Sequence, residues 1–283
     1  MSGLLHLSDP HFGTEQPAVV AALERLVRQC RPDLAVLSGD VTQRATTAQF
    51  AKARAFVDRL GIATWVTVPG NHDIPLFALA ARLFTPYGRY RTAFGEDLEP
   101  SADTADWLVL SHNTTRRYRH AHGEISRPQI ERTARRLEAA RQRRPDQIRV
   151  VVVHQPLAVA KADDRKDLLR GAARAAERWA AAGADIVLGG HIHLPFVLPL
   201  HRRTALAQAL WVVQAGTAVS SRVRDGAPNS VNLLRADRGT AGRACIVERW
   251  DYDAAADAFV LGGEERLALA DNPSAEAPHD ADR

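Results

Sequence analysis

Short, almost continuous apolar runs recur along the chain and predict strands that are buried on both faces. Seven runs of this kind occupy residues 3–8, 34–39, 64–69, 107–111, 149–154, 185–190 and 210–216. Between several of them, apolar residues recur at helical spacing. These helical stripes are Val19, Val20, Leu23, Leu26 and Val27; Phe50, Ala53, Val57 and Leu60; Ile130, Ala134, Leu137 and Arg141; and Leu169, Ala173, Ala176 and Ala180. Strands alternating with helices predict an α/β fold with right-handed crossovers.

The rest of the pattern predicts one body without an internal boundary. Residues 204–266 are strand-like with glycine turns, and we expect them to form a second sheet. Because neither a repeat nor a linker divides the body, we expect a single domain over residues 1–268. Residues 76–100 carry aromatic and arginine side chains, which suit either a cap over a substrate or part of the core. Residues 269–283 are polar, acidic and proline-containing, and we expect a disordered tail.

Composition narrows the class of protein without choosing a function. A chain of 283 residues with 46% hydrophobic and 25% charged residues can bury the core of a globular protein. It has no apolar run of 18 residues, and its first residues lack the basic segment of a secretory signal. Its two cysteines, Cys30 and Cys245, lie far apart and give no disulfide framework. We therefore expect a cytoplasmic protein without a membrane span.

The charge is positive and is carried almost entirely by arginine. The formal net charge is +4, and lysine occurs only at positions 52, 161 and 166. Residues 271–283 hold four acidic residues and one arginine, so the remainder carries about +7. A positive body suits an anionic substrate, although a bias toward arginine codons would give the same composition.

Side chains that bind metals follow five of the predicted strands. They are Asp9 and His11 in SDPHFG, Asp40 in SGDVTQ, Asn71, His72 and Asp73 in PGNHDIP, His154 in VVVHQP, and His191 and His193 in GGHIHL. Ligands of open α/β sheets bind at the carboxyl ends of the strands. Five of the eleven histidines fall at these few positions, and a metal site accounts for that concentration.

The donor set indicates the kind of metal site. Two aspartates, one asparagine and four histidines without a thiolate suit Mn, Fe, Zn or Co. Seven ligands are too many for one ion but suffice for two if one carboxylate bridges. Two ions about 3.5–4 Å apart clamp phosphoryl oxygens and generate a bound hydroxide near neutral pH. Glycines at 39, 70, 189 and 190 would let the backbone turn sharply and approach the ions.

The order D-x-H, G-D, G-N-H-D, a single strand-end histidine and G-H-x-H resembles that of the calcineurin-like metallophosphoesterases. The resemblance covers residues 1–220. It implies a four-layer α/β/β/α sandwich of two mixed sheets flanked by helices, with two divalent metal ions, manganese and iron being favoured. The size and the G-N-H-D form are similar to bacterial class III cyclic-nucleotide phosphodiesterases.

The resemblance also implies a role for each motif residue. Asp9, His11 and His193 would hold the first metal ion; Asn71, His154 and His191 would hold the second; and Asp40 would bridge the two. His72 would be the catalytic residue, facing the phosphate as general acid or as transition-state stabiliser. Asn71 and His72 would contact the substrate, and Asp73 would orient the turn or its neighbour.

One departure concerns the support of His72. Many relatives have a carboxylate three residues after the bridging aspartate, where this chain has Gln43. A neutral amide supports an imidazolium less well than a carboxylate does. Asp73 is one residue that could take over this role.

Two further segments leave alternatives open. The loop of residues 111–126 contains Arg116, Arg117, Arg119 and Tyr118, which suit either a solvated basic loop or a substrate contact. His120 and His122 have the spacing of a metal pair but follow no strand directly, and His112 follows one. His6 lies inside a predicted strand, where a core role is expected.

These expectations combine into a dinuclear-metal phosphoric ester hydrolase acting by in-line attack on phosphorus, most readily a phosphodiesterase with a cyclic nucleotide as substrate. A phosphomonoesterase and a nucleotide or lipid-linked pyrophosphohydrolase would use the same centre. A nuclease is disfavoured by the acidic end, because it would repel nucleic acid. A non-catalytic scaffold is disfavoured because every ligand is present. The expected partner is a small phosphate-containing substrate, and a homodimer is open.

Overall fold

The computed structural model describes residues 3–224, 226–237, 239 and 242–271. Within them lie two six-stranded sheets with helices on their outer faces. The strands are β1 (Gly3–Leu7), β2 (Leu34–Leu37), β3 (Thr64–Thr67), β4 (Ser101–Asp103), β5 (Trp107–Ser111), β6 (Ile148–Val152), β7 (Ile186–Gly189), β8 (Phe196–Pro199), β9 (Trp211–Gln214), β10 (Ser230–Asp237), β11 (Ala244–Asp253) and β12 (Ala258–Ala268). The helices are α1 (Pro17–Cys30), α2 (Thr47–Leu60), α3 (Leu79–Phe84), α4 (Gly88–Phe94), α5 (Arg127–Arg143) and α6 (Ala172–Ala182).

The first sheet has the strand order β12-β11-β10-β1-β2-β3. Its central strand β1 runs parallel to β2 and antiparallel to β10, so that Leu4 pairs with Leu34 on one side and Leu234 on the other. The expectation that residues 204–266 form a sheet of their own is wrong. Strands β10 to β12 extend the sheet that β1 begins, because β1 has a free edge on the side opposite β2.

The second sheet has the order β4-β5-β6-β7-β9-β8. Strands β5, β6, β7 and β9 are parallel, and the antiparallel strands β4 and β8 close the two edges. All seven apolar runs of the sequence are strands. The two edge strands of this sheet, β4 and β8, lay outside the predicted runs.

Apolar side chains fill three layers between the four layers of secondary structure. The central layer lies between the sheets and includes Trp107, Val150 and Leu188. The first sheet packs against α1 and α2 through Leu23 and Phe50 among others. The second sheet packs against α5 and α6. This is the predicted α/β/β/α sandwich.

Local signals fix the ends of the helices. Thr46 caps α2 by accepting a hydrogen bond from the Gln49 amide, and Gly61 ends that helix in the left-handed conformation. A capping box of Ser126 and Gln129 begins α5. Of the stripe expected along residues 169–180, Leu169, Ala176 and Ala180 are buried and Ala173 is exposed, and the buried face also includes the large side chain of Trp179.

Residues 76–100 divide between core and surface. Tyr90 on α4 is buried, whereas Phe77, Leu79, Leu83 and Phe84 on and before α3 are exposed. Leu269, the first residue of the predicted tail, is buried beside the central layer, and its amide donates to the Arg243 carbonyl. Residues 272–283 lie outside the described residues. Among the helices of the described part, none has the length and hydropathy needed to cross a bilayer.

Candidate metal centre

The strand-end residues converge at one edge of the sandwich. Asp9 and His11 follow β1, Asp40 follows β2, and the turn Asn71–Asp73 follows β3. His154 follows β6, and His191 and His193 follow β7. Both sheets therefore present their carboxyl ends to the same cleft, which has a volume of about 650 Å³.

Three side chains form a first group of donors. The Nε2 atoms of His11 and His193 lie 3.0 Å apart, and they lie 3.7 and 3.4 Å from Asp9 Oδ1. The other oxygen, Asp9 Oδ2, accepts hydrogen bonds from the Ser8 hydroxyl and the His191 amide. Asp9 Oδ1 is buried and receives no hydrogen bond from the described residues. A carboxylate oxygen held in this way fits a cation between it and the two imidazoles.

A second group lies on the other side of Asp40. His154 Nε2 is 3.3 Å from Asp40 Oδ1 and 3.2 Å from Asn71 Oδ1, and the rings of His154 and His191 lie 5.1 Å apart. The other carboxylate oxygen, Asp40 Oδ2, lies 3.7 Å from His11 Nε2 in the first group. Asp40 therefore faces both groups with different oxygens, which is the geometry that a bridging carboxylate requires.

Contacts behind the imidazoles fix which nitrogen faces the centre. His154 Nδ1 lies 2.8 Å from the Ser38 carbonyl oxygen, and His193 Nδ1 lies 2.6 Å from that of Arg222. A carbonyl oxygen only accepts, so Nδ1 carries a proton in both rings and Nε2 is the nitrogen that faces the cleft. Metal-ligating histidines are oriented in the same way.

The backbone at these positions is strained. Eight non-glycine residues have positive φ among the described residues, and five of them are predicted ligands: Asp9, His11, Asp40, His191 and His193, with φ between 43° and 73°. Such conformations cost on the order of 1 kcal/mol each and persist where the surrounding structure enforces them. Their concentration at one site is an independent sign of function.

Two glycines allow the close approach of the loops. A Cβ at Gly190 would lie 1.8 Å from Ser8 Oγ and 2.4 Å from Asp9 Oδ2. A Cβ at Gly70 would lie 2.1 Å from Asp40 Oδ1. Any side chain at either position would displace a predicted ligand.

The charges of the centre suit a cation. Burial lowers the pKa of His11 to about 3 and that of His191 to about 4, so both rings are neutral. Burial opposes ionisation of Asp9 and Asp40, but neighbouring imidazoles hold the pKa of both carboxyls below the usual range. Burial lowers the pKa of His154, but its neighbours, Asp40 foremost, raise it, so that the pKa is about 9. A divalent cation would displace that proton, because only the neutral ring is a ligand.

His72 lies at the edge of the centre. Its ring stands edge-on to that of His11 at 4.8 Å, and its Nδ1 lies 3.0 Å from the Gln43 carbonyl oxygen. At position 43, where many relatives have a carboxylate, the main-chain carbonyl of Gln43 therefore supports His72. Asp73 does not take over the support of His72. Its carboxylate accepts hydrogen bonds from the amides of Val41, Thr42 and Gly70 and ties the two loops together.

Arg222 is the residue of the centre that the sequence analysis missed. Its Nη1 lies 2.9 Å from Gln43 Oε1, 3.2 Å from His72 Nε2 and 3.4 Å from His11 Nδ1. Arg222 comes from the segment after β9, far along the chain from the motif residues. The one sequence signal for a partner of Arg222 was Gln43, an amide at a position where many relatives have a carboxylate.

The basic loop reaches the cleft through two residues, His120 and Ala121. His120 lines it, whereas Arg116 donates to the carbonyls of Asn113 and Thr115, and Arg119 pairs with Glu124. The clusters of possible metal ligands found in the described residues contain neither His120 nor His122.

Two other histidines considered from the sequence lie in the core. His112 stacks on Trp179 and bonds to Thr133, so it supports α5 and α6. His6 is buried and bonds to Ser38.

The fold and this cluster define a class of protein, the α/β sandwiches with histidine and aspartate side chains placed to bind metal. The chain belongs to the calcineurin-like phosphoesterase family, whose profile matches residues 3–195. Members of this family use divalent metal ions. No curated protein sequence matches the chain.

Solved structures with little sequence identity share the fold. A dimetal phosphatase from Danio rerio aligns with a TM-score of 0.67 at 9% identity, over 95% of this chain and 99% of that one. A purple acid phosphatase from yellow lupin (Lupinus luteus) seeds has a TM-score of 0.67 at 13% identity, over 94% of this chain and 53% of its own. A putative 5′-nucleotidase from Staphylococcus aureus gives 0.53 at 14% identity, over 98% and 56%.

Proposed function

We propose that this phosphoesterase is a dinuclear-metal phosphodiesterase. The observation that carries the proposal is the position of Asp40, whose two oxygens face the two groups of imidazoles. One ion would be held by Asp9, His11 and His193, a second by Asn71, His154 and His191, with Asp40 shared. Manganese or iron remains our expectation for the metals.

Two bound divalent ions would supply Lewis acidity to the phosphoryl oxygens and activate a water molecule. The side chains of the chain itself do the rest. The cleft is lined by the cationic side chains of Lys166, Arg222 and Arg224, which favour entry of an anionic phosphate. Arg224 is held by a two-pronged ion pair with Asp164, which leaves Arg222 as the cation nearest to His72.

His72 has two possible roles, and its contacts favour one. With Nδ1–H donated to the Gln43 carbonyl, Nε2 of the neutral ring accepts from Arg222. His72 would then hold the Arg222 guanidinium and, with it, stabilise the charge that develops on the substrate oxygens. Proton donation to the leaving group would require the doubly protonated ring.

We propose a class of substrate and, within that class, one substrate. A phosphodiester is the substrate class that we expect from the sequence motifs. A cyclic nucleotide is the expectation that comes with the subfamily resemblance. Phosphomonoesters and pyrophosphates remain alternatives for the same centre. A cytoplasmic location and a homodimer also remain predictions.

One experiment tests the proposal. The protein is reconstituted with Mn²⁺ and compared with His72→Ala on bis-p-nitrophenyl phosphate, p-nitrophenyl phosphate, 3′,5′-cyclic AMP and single-stranded DNA. We expect the diesters to be preferred and the variant to lose roughly 100-fold or more in kcat with its metal content unchanged.

The outcomes separate the alternatives. Preference for the monoester would overturn the phosphodiesterase assignment while keeping the metal centre. An unchanged rate in His72→Ala would remove His72 from catalysis. A wild-type protein that takes up no metal would contradict the proposal as a whole.

A further inference from the structure

A second cavity opens beside His72. It has a volume of about 240 Å³, and we call it the side pocket. Its walls include Gln43, Arg44 and Arg82, and it shares Asn71, His72, His120 and Arg222 with the main cleft. A group bound there would therefore be joined directly to a phosphate held at the centre.

The side pocket is more uniformly cationic than the cleft above the centre. Three arginines line it, and none of the described residues in its wall is a carboxylate. The main cleft, in contrast, includes Asp40, Asp164 and Asp167. A pocket with three guanidinium groups and no carboxylate selects for an anion.

The three guanidinium groups are held in place without being neutralised. Arg82 donates to the carbonyl oxygens of Pro75 and Arg119, and Arg44 lies over the ring of Phe77 at 5.4 Å. Arg222 donates to Gln43. Among the described residues, none of the three forms an ion pair with a carboxylate. Their charge is available to a ligand.

We propose that the side pocket binds a second phosphate group of the substrate, on the side of the leaving group. The proposal rests on the two-metal centre proposed above and assigns it one of the alternatives named there, the pyrophosphates: phosphoanhydrides of the nucleoside-diphosphate type rather than cyclic monoanions. A cyclic nucleotide carries one phosphate and leaves the three arginines without a partner.

The chemistry of the leaving group agrees with this assignment. The oxygen of water bonds to one phosphorus, the bond from that phosphorus to the bridging oxygen breaks, and the electron pair leaves with that oxygen on the second phosphate. Two phosphomonoesters form, and the water protons pass to solvent. A phosphate leaves as an anion and needs no proton, whereas an alkoxide does.

The first test measures binding without metal, so that it does not depend on the catalytic proposal. Calorimetry at low ionic strength compares inorganic pyrophosphate with inorganic phosphate on the metal-free protein, on Arg44→Gln, on Arg44→Gln/Arg82→Gln and on Arg174→Gln. Arg174 is an exposed arginine on α6 and controls for net charge. We expect pyrophosphate to bind wild type and the control alike, and the double variant at least tenfold more weakly.

Equal weakening in the control and the double variant would overturn the proposal, as would equal affinity of the two anions for wild type. Arg82→Gln removes two contacts to carbonyls, so circular dichroism must match that of wild type. The single variant Arg44→Gln, which keeps those contacts, must still weaken pyrophosphate binding.

The second test uses the Mn²⁺-loaded protein. The ratio of kcat/KM for ADP-ribose to that for bis-p-nitrophenyl phosphate should fall at least tenfold in Arg44→Gln/Arg82→Gln and stay constant in Arg174→Gln. A constant ratio in both would refute the assignment of the side pocket even if phosphodiesterase activity is found. Loss of all turnover with intact pyrophosphate binding would instead count against the catalytic centre.

Discussion

The floor of the cleft and the wall of the side pocket are built in opposite ways. The floor consists of the seven predicted ligands, of which Asp9, His11 and His154 are completely buried. The wall combines Arg44, residues 74–82, the loop of residues 116–122 and Arg222, and its three arginine side chains are exposed or half-buried. Backbone geometry fixes the floor, whereas hydrogen bonds and a ring contact of individual side chains hold the wall.

This difference separates chemistry from selectivity. The floor requires a small number of donors at the ends of strands, and short motifs can encode them. The wall gathers side chains that are up to 179 positions apart, such as Gln43 and Arg222. A change in the wall alters which phosphate compound fits, while a change in the floor alters whether any reaction occurs.

The largest effect is expected at the bridging position of the floor. Asp40→Asn removes the charge shared by both groups, so we expect loss of bound metal and a fall in kcat/KM of roughly 1000-fold or more. Metal analysis and turnover of bis-p-nitrophenyl phosphate measure it. Asp185→Asn is the matched control, because Asp185 is equally buried but pairs with Arg149 and Arg243 away from the cleft. That variant should lower the melting temperature and keep its metal; metal retained by Asp40→Asn would contradict the assignment.

A smaller effect is expected where the floor and the wall meet. Arg222→Gln removes a cation that contacts His72, and it should lower kcat/KM between about 10- and 100-fold without loss of metal. Arg222→Lys should recover only part of this, since one ammonium cannot reach both Gln43 and His72. Equal rates in wild type and Arg222→Gln would confine the function of Arg222 to the structure of the loop.

The smallest effect concerns stability beneath the floor. Burial, partly opposed by Asp9, lowers the pKa of His6 from 6.5 to about 3. As the pH falls below 6.5, the unfolded chain binds a proton that folded His6 does not. Stability is therefore lost as the pH falls, by about 1.4 kcal/mol per unit for this one group.

Urea unfolding of the metal-free protein between pH 7 and pH 5 measures this slope. His6→Asn should flatten it by about one proton, or 1.4 kcal/mol per unit. Gln147→Asn alters a buried side chain that does not titrate and lies outside the floor, and it should leave the slope unchanged. The same slope in wild type and His6→Asn would show that His6 does not remain neutral.

Most of the floor could be predicted from the sequence. Strands buried on both faces appear in the sequence as apolar runs. Each loop that carries predicted ligands begins where such a run is followed by polar residues. The sequence therefore predicted that Asp9, Asp40 and His154 would meet. The structure brings all seven predicted ligands and His72 to one cleft; which ion each of them holds remains a prediction.

The wall could not be predicted, because its residues are recruited by tertiary packing. No local pattern states that Arg222 reaches Gln43, or that the Gln43 carbonyl rather than Asp73 meets His72. The assignment of residues 204–266 to a separate sheet failed for the same reason. Strand pairing between β1 and β10 joins residues more than 220 positions apart, and periodicity carries no information about partners.

The left-handed backbone at five ligand positions implies a trade-off between thermal stability and activity. Glycine or asparagine adopts that conformation more readily than histidine or aspartate with a buried side chain does. Replacing one of these residues would relieve the backbone strain of its loop. The variant would be more stable but inactive. Selection for stability alone would therefore replace the ligands one residue at a time. The strained loops persist only under selection for the reaction.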